Sequence, residues 1–191
     1  MNDEELAEEL ERRNAVVVHF SHHANMREGG TFPEDLQAVI CDGEEWPLSC
    51  SVLFPGHCME PCGSVGVIFK PKVTNVISVS NTDSGSYVGM DGVDYSLGRP
   101  LDEQSFKETF EVKGAYNEWR VRGDAEVMGI FVLDPDNICV KKPIEIWDPM
   151  RDAYTQEIAM ASIGLADVFA AFPEEQVFSL GPAGLVKVEA P

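Results

Sequence analysis

Short β-branched runs punctuated by Gly, Pro, Asn and Asp recur along this chain, and they restrict its fold more than any other feature. They are AVVVHFS (Ala15–Ser21), PLSCSVLFP (Pro47–Pro55), GSVGVIFKP (Gly63–Pro71) and NVISVS (Asn75–Ser80). A further pair is joined by a Gly-Asp turn within GAYNEWRVRGDAEVMGIFVLD (Gly114–Asp134), and KKPIEIWDP follows. Such runs read as strands, and the joins between them are hairpin-like more often than βαβ-like. The expected class is α+β with a largely antiparallel sheet.

Helical patterning is confined to the flanks. Residues 3–13 place Leu6 and Leu10 four apart, which predicts a short helix. PEDLQAVICDG has Pro33 at its start, acids in its first turn and Gly43 beyond its end. DEQSFKETFEV reads as a short helix or turn. Met150–Phe172 carries Ala, Ile, Met and Leu at helical spacing before Pro173, and predicts a longer helix. EEQVFSLGPAGLVKVEAP reads as a short strand with a loose end. A length of 191 residues fits one domain. Its parts are an N-terminal helix over 1–14, a core over 15–148, and a C-terminal helix and tail over 149–191. The polar stretch from Asn81 to Pro100 is long enough that a functional loop is expected.

Charge and cysteine usage exclude several classes. A formal charge of −19 argues against a general DNA- or RNA-binding surface. It fits a soluble protein, a binder of basic partners or a nucleic-acid mimic. The acidic start MNDEELAEELERR does not resemble a signal peptide, and no run approaches the ~18 apolar residues of a transmembrane helix. An intracellular, cytoplasmic protein without membrane association is therefore expected. The odd cysteine count makes a disulfide framework unexpected. Cys41, Cys50, Cys58 and Cys62 lie close in sequence, with His57 beside Cys58, but only Cys58 and Cys62 form a close pair. A structural zinc on these four is the lesser reading beside core and loop thiols.

Two polar features stand out inside strands. His19 lies in an apolar run, on the alternation that also carries Val17 and Ser21. It is either a satisfied core histidine or a group lining a ligand pocket. His22 and His23 read as solvated residues of the following loop. Glu118 lies within YNEWRV, alternating with Tyr116 and Arg120 on one face and with Asn117, Trp119 and Val121 on the other. It is either an exposed acid beside Arg120 and Arg122, or a functional carboxylate. GxGxxG with a following helix, GxxxxGK[ST], GxSxG and HExxH are all absent from the chain.

The run YNEW, followed by an alternating strand, a turn and VMGIFV, resembles the catalytic-glutamate segment of ADP-ribosyltransferases of the poly-ADP-ribose polymerase type. HFS (His19–Ser21) is similar to the His-x-Ser strand that opens their catalytic core. LSCS (Leu48–Ser51) stands where a strand with closely spaced hydroxyls is found, and CGSVGVIFKPKVTNVISVSNTDSGS resembles bacterial and phage-borne members. The resemblance keeps its order over residues 15–134. It implies split, mostly antiparallel sheets with flanking helices, and NAD as the substrate. It further implies transfer of a single ADP-ribose to a protein or small-molecule acceptor, as in toxins, phage effectors or defence proteins acting in a host cytoplasm. Glu118 would be catalytic. His19, Ser21, Ser49, Ser51, Tyr116 and Asn117 would bind NAD, and Tyr87, with Tyr95, is an available tyrosine for the nicotinamide. The alternative reading is a non-enzymatic acidic binding or inhibitor protein.

Overall fold

The computed structural model describes residues 1–21, 31–42, 47–59 and 63–191. The predicted class holds: helices flank a mostly antiparallel sheet. In chain order the elements begin with α1 (Asp3–Arg12), β1 (Val16–Phe20), α2 (Glu34–Asp42), β2 (Pro47–Leu53), β3 (Val65–Lys70) and β4 (Val76–Ser80). The segment expected as a long loop folds as a small hairpin, β5 (Tyr87–Val88) and β6 (Asp94–Tyr95), and α3 (Glu103–Thr109) follows. The chain ends with β7 (Glu118–Arg122), β8 (Glu126–Val132), β9 (Ile138–Asp148), β10 (Ala153–Ile163), α4 (Leu165–Ala171), β11 (Val177–Gly181) and β12 (Gly184–Lys187).

Eight strands form the central sheet in the order β12-β11-β8-β3-β1-β2-β7-β4. Every neighbouring pair is antiparallel except β11 with β8. The alternation read from the runs decides what each face buries. Val17, Cys50, Val52, Val67, Trp119 and Val121 pack with Leu6 and Leu10 of α1, Leu36 and Val39 of α2, and Phe106 of α3. Val16, Val18, Phe20, Leu53, Ile68 and Phe131 form a second, smaller cluster. Trp119 anchors β7 from behind: its indole N–H donates to Thr109 Oγ1 at 3.0 Å, and Phe106 meets its ring edge-on at 6.1 Å. Gly66 allows β3 to lie against β1, because a Cβ there would fall 2.5 Å from the carbonyl oxygen of His19.

The C-terminal region differs from expectation. Residues 153–163 are a strand, and the helix survives only as Leu165–Ala171. Ile158, Ala161 and Leu165 mimic a helical face, but all eleven residues of β10 register against β9, from Ala153↔Asp148 to Ile163↔Ile138. Cross-strand partners override a weak local preference. The turn between these strands is held by Asp148, whose Oδ1 accepts the Met150 N–H at 2.9 Å, and by Asp152 at φ 50°. The tail is also more ordered than expected. A second strand, β12, pairs with β11, which itself extends the central sheet.

Asp102 begins α3 with a reciprocal cap: Ser105 N–H donates to its carboxylate at 2.8 Å, and Asp102 N–H donates to Ser105 Oγ at 2.9 Å. The Ser105 backbone donor holds the Asp102 carboxyl below its ordinary value of 3.8. A depressed acid contributes stability that is present above its ordinary value and lost as pH falls through its folded value. The melting midpoint of Asp102→Ala therefore lies below wild type at pH 7, and the gap narrows below about pH 4. An equal gap at pH 7 and pH 3 in thermal denaturation would show that the carboxylate charge is irrelevant to the cap.

Candidate functional site

The site lies where β2 changes partners. Pro47 through Cys50 register with β7, whereas Ser51 through Leu53 register with β1. The β1–β2 ladder therefore stops at Val18↔Ser51 and the β2–β7 ladder at Cys50↔Trp119. Asn117 takes over at this fork. Its side-chain oxygen accepts the Val52 N–H at 2.7 Å and its side-chain NH2 donates to the Val52 carbonyl at 2.9 Å. An amide side chain thus replaces one missing rung of the ladder, with donor and acceptor both matched.

Strict alternation would put His19 on the sheet face opposite Glu118. The fork changes that relation. Where β1 and β2 part, His19 Nδ1 lies 2.8 Å from the backbone oxygen of Ser49. A carbonyl only accepts, so Nδ1 carries the hydrogen. The Ser49 hydroxyl in turn donates to Glu118 Oε1 at 2.9 Å. The three strands singled out from the sequence are thereby joined through one residue of the middle strand.

Glu118 does not lie on an exposed edge beside Arg120 and Arg122. Its strand runs between β2 and β4, and only 4% of its surface is exposed. Its other oxygen, Oε2, accepts from the Ser84 hydroxyl and from the Ser84 N–H at 3.3 Å. With Ser49, this gives the carboxylate three donors, which is how a buried acid is retained in low dielectric. Arg120, two residues on, pairs instead with Asp94, at 2.8 Å. Among the described residues its buried Nε has no hydrogen-bond partner.

Ser84 and Asp94 both belong to the 81–100 segment. This segment is fastened beside β4 by two backbone bonds: Val79 N–H to the Arg99 carbonyl at 2.8 Å, and Arg99 N–H to the Val79 carbonyl at 2.9 Å. It therefore reaches the end of β7, where Ser84 donates to Glu118 and Asp94 offsets the charge of Arg120. Nothing in the sequence pattern singled out Ser84 or Asp94. The only available signal was the length of the loop and its richness in Ser and Asp.

The remaining candidates are distributed around this centre. Ser21 is buried and donates to Asp35 Oδ2 of α2 at 2.5 Å. Ser51 is buried and donates to the Asn117 carbonyl at 3.2 Å. Asn117 is committed to Val52, so Ser21, Ser51 and Asn117 are tied into the scaffold. Tyr116 is half-buried in the segment entering β7. Tyr87 is 56% exposed and stacks on Tyr95, with centroids 5.0 Å apart and rings 18° from parallel. His22, His23 and Cys62 lie outside the described residues.

The cysteines do not assemble a metal centre from what is described. Among the described residues no group of three His, Cys, Asp or Glu is placed to hold a metal. Cys50 is buried in β2 among the core residues, and burial pushes its thiol well above the usual range. His57 stacks on Phe54 and donates through Nε2 to the Ala115 carbonyl at 2.8 Å, bracing the approach to β7. Among the described residues no helix is long and apolar enough to cross a membrane. Comparison with protein-family models, curated proteins and solved structures finds no match to this chain.

Proposed function

We propose that the protein is an ADP-ribosyltransferase that cleaves NAD at its nicotinamide–ribose bond and transfers one ADP-ribose to an acceptor. The observation that carries this reading is the continuous link from His19 through Ser49 to a buried Glu118, on three adjacent strands. Motifs far apart in sequence converge at one fork in the sheet. A carboxylate buried under three hydroxyl and amide donors suits a site that must present negative charge to a cationic sugar.

In the proposed reaction the C–N bond between ribose and nicotinamide breaks. Its electron pair leaves with nicotinamide, and positive charge develops at the ribose carbon. A lone pair of the acceptor forms the new bond, and the acceptor's proton is released. Glu118 stabilises the oxocarbenium-like charge and accepts a ribose hydroxyl, taking the place now filled by Ser84. His19 orients a ribose through its ring, whose position is set by the Ser49 carbonyl. The charge of −19 makes a protein or small molecule a better acceptor than nucleic acid.

The alternative, a non-enzymatic acidic binding protein, draws on the charge but offers no reason to bury Glu118 beneath three donors. Incubation of wild type with NAD labelled in the nicotinamide decides between them. The expected result is release of labelled nicotinamide, together with a rise in melting midpoint at millimolar NAD. Absence of both would remove the transferase reading.

A further inference from the structure

The β9–β10 ribbon stands apart from the central sheet as a sheet of two strands. A ribbon of two strands is marginal in water without a third strand or a packed face. Its base is secured: the Cys139 carbonyl accepts the Ser64 N–H at 2.8 Å, and the Lys141 carbonyl accepts the Phe32 N–H at 2.8 Å. These contacts show that odd-numbered residues of β9 point their backbone groups away from β10. Pro143 falls in that set, so the missing N–H of proline lies on the outer edge of β9. The same edge carries Lys141, Lys142, Glu145 and Asp148. It has the charges and the proline that keep a sheet edge from pairing.

The outer edge of β10 has none of these protections. Its sequence, AYTQEIAMASI, contains no proline and no lysine, and Glu157 is its single charge. Registers such as Pro143↔Ile158 and Lys141↔Met160 mean that even-numbered residues of β10 turn their N–H and C=O groups outward. Among the described residues, no strand pairs with that edge. The side chains of the same residues share a face with those of Lys141, Pro143, Glu145 and Trp147, and on it Tyr154, Trp147, Ile158 and Met160 form an exposed apolar stripe. Tyr154 is 68% exposed, Ile158 49%, Met160 47% and Trp147 47%.

We propose that this edge is a self-association surface. Two copies pair β10 with β10 antiparallel about a twofold axis, giving a continuous four-stranded sheet that joins the two apolar stripes. Three observations select a second copy as the occupant. The ribbon is nearly neutral: Lys141, Lys142 and Arg151 stand against Glu145, Asp148, Asp152 and Glu157, in a chain of charge −19. Two copies meet here with the least repulsion, whereas a basic partner would be drawn to the acidic remainder. The edge is also self-complementary. A register centred on Ile158 pairs Gln156 with Met160 and Tyr154 with Ser162, sets Glu157 opposite Ala159, and keeps the two Glu157 side chains apart. Such an arrangement forms roughly ten backbone hydrogen bonds. Finally, the apolar residues continue across the axis, so the twofold doubles a stripe that is otherwise open to water.

Sedimentation equilibrium of the full chain tests this. Wild type is expected to sediment as a dimer of the 21.0 kDa chain at tens of micromolar. Ile158→Pro removes an outward N–H without touching the ladder to β9. Ile158→Lys places a charge at the twofold centre and leaves the backbone intact. Both variants are expected to halve the mass while retaining the wild-type circular dichroism spectrum. A monomeric wild type at about 100 μM would overturn the proposal. So would a dimer that survives Ile158→Lys with less than a tenfold weakening of association.

Discussion

Glu118→Gln is expected to leave a folded protein that releases nicotinamide from NAD about 10²–10³-fold more slowly, a loss of about 3–4 kcal/mol at the transition state. The substitution keeps the shape and the Ser49 contact, since an amide oxygen also accepts. It removes the charge that the developing cation needs. On the Oε2 side an amide NH2 would face the Ser84 N–H, two donors together, while the Ser84 hydroxyl can rotate to accept. That mismatch should lower stability by no more than about 1–3 kcal/mol. Binding and chemistry are separable in this variant. An NAD-induced shift in melting midpoint that persists while turnover disappears would place Glu118 in the chemical step. Unchanged turnover would remove it from the reaction.

Asn117→Ala should cause the largest loss of stability among single polar substitutions at the fork. The side chain is fully buried and satisfies both the N–H and the C=O of Val52, which is itself fully buried. Truncation strands one donor and one acceptor away from water, each at about 1–3 kcal/mol. A total of about 3–5 kcal/mol corresponds to a fall in melting midpoint of roughly 10 °C for a chain of this size. Asn117→Asp provides the control: a carboxylate still accepts from Val52 N–H but cannot donate to its carbonyl, so most of the loss should remain. A change below about 1 kcal/mol in both variants would mean that the fork holds without the amide.

The parts of this fold that were legible in the sequence are those with strong local patterns. The β-branched runs located β1 to β4, β7 and β8, because strand length and bounding turn residues are read over a few positions. Leu6 and Leu10 located α1, and Pro33 and the acids after it located α2. The C-terminal helix was misread because Ile158, Ala161 and Leu165 recur at helical spacing. The choice was made by β9, a partner that no local window contains. The turn signal was present in Asp148, Pro149 and Asp152, immediately before and within the segment read as helix.

The site was legible as residues but not as an arrangement. His19 and Glu118 fall on opposite faces if alternation is extended without interruption. Only the exchange of partners along β2 relates them, and register is a property of three strands at once. The Asn117 side chain looked like part of a binding motif, whereas its geometry is that of a backbone substitute. Ser84 and Asp94 lay in a polar segment where any Ser or Asp was equally plausible, and their selection depends on how Val79 and Arg99 fasten that segment.

The Ser84 contact has a consequence for ligand affinity. On the transferase reading, a hydroxyl tethered to the same chain competes with the ribose hydroxyl for Glu118, and NAD binding draws on the molecules in which the segment has lifted. If that opening is populated in one molecule in ten, measured dissociation constants are about tenfold weaker than the intrinsic value. On that reading, the stability of the loop contact, and not the sugar contacts alone, would set how tightly NAD is held.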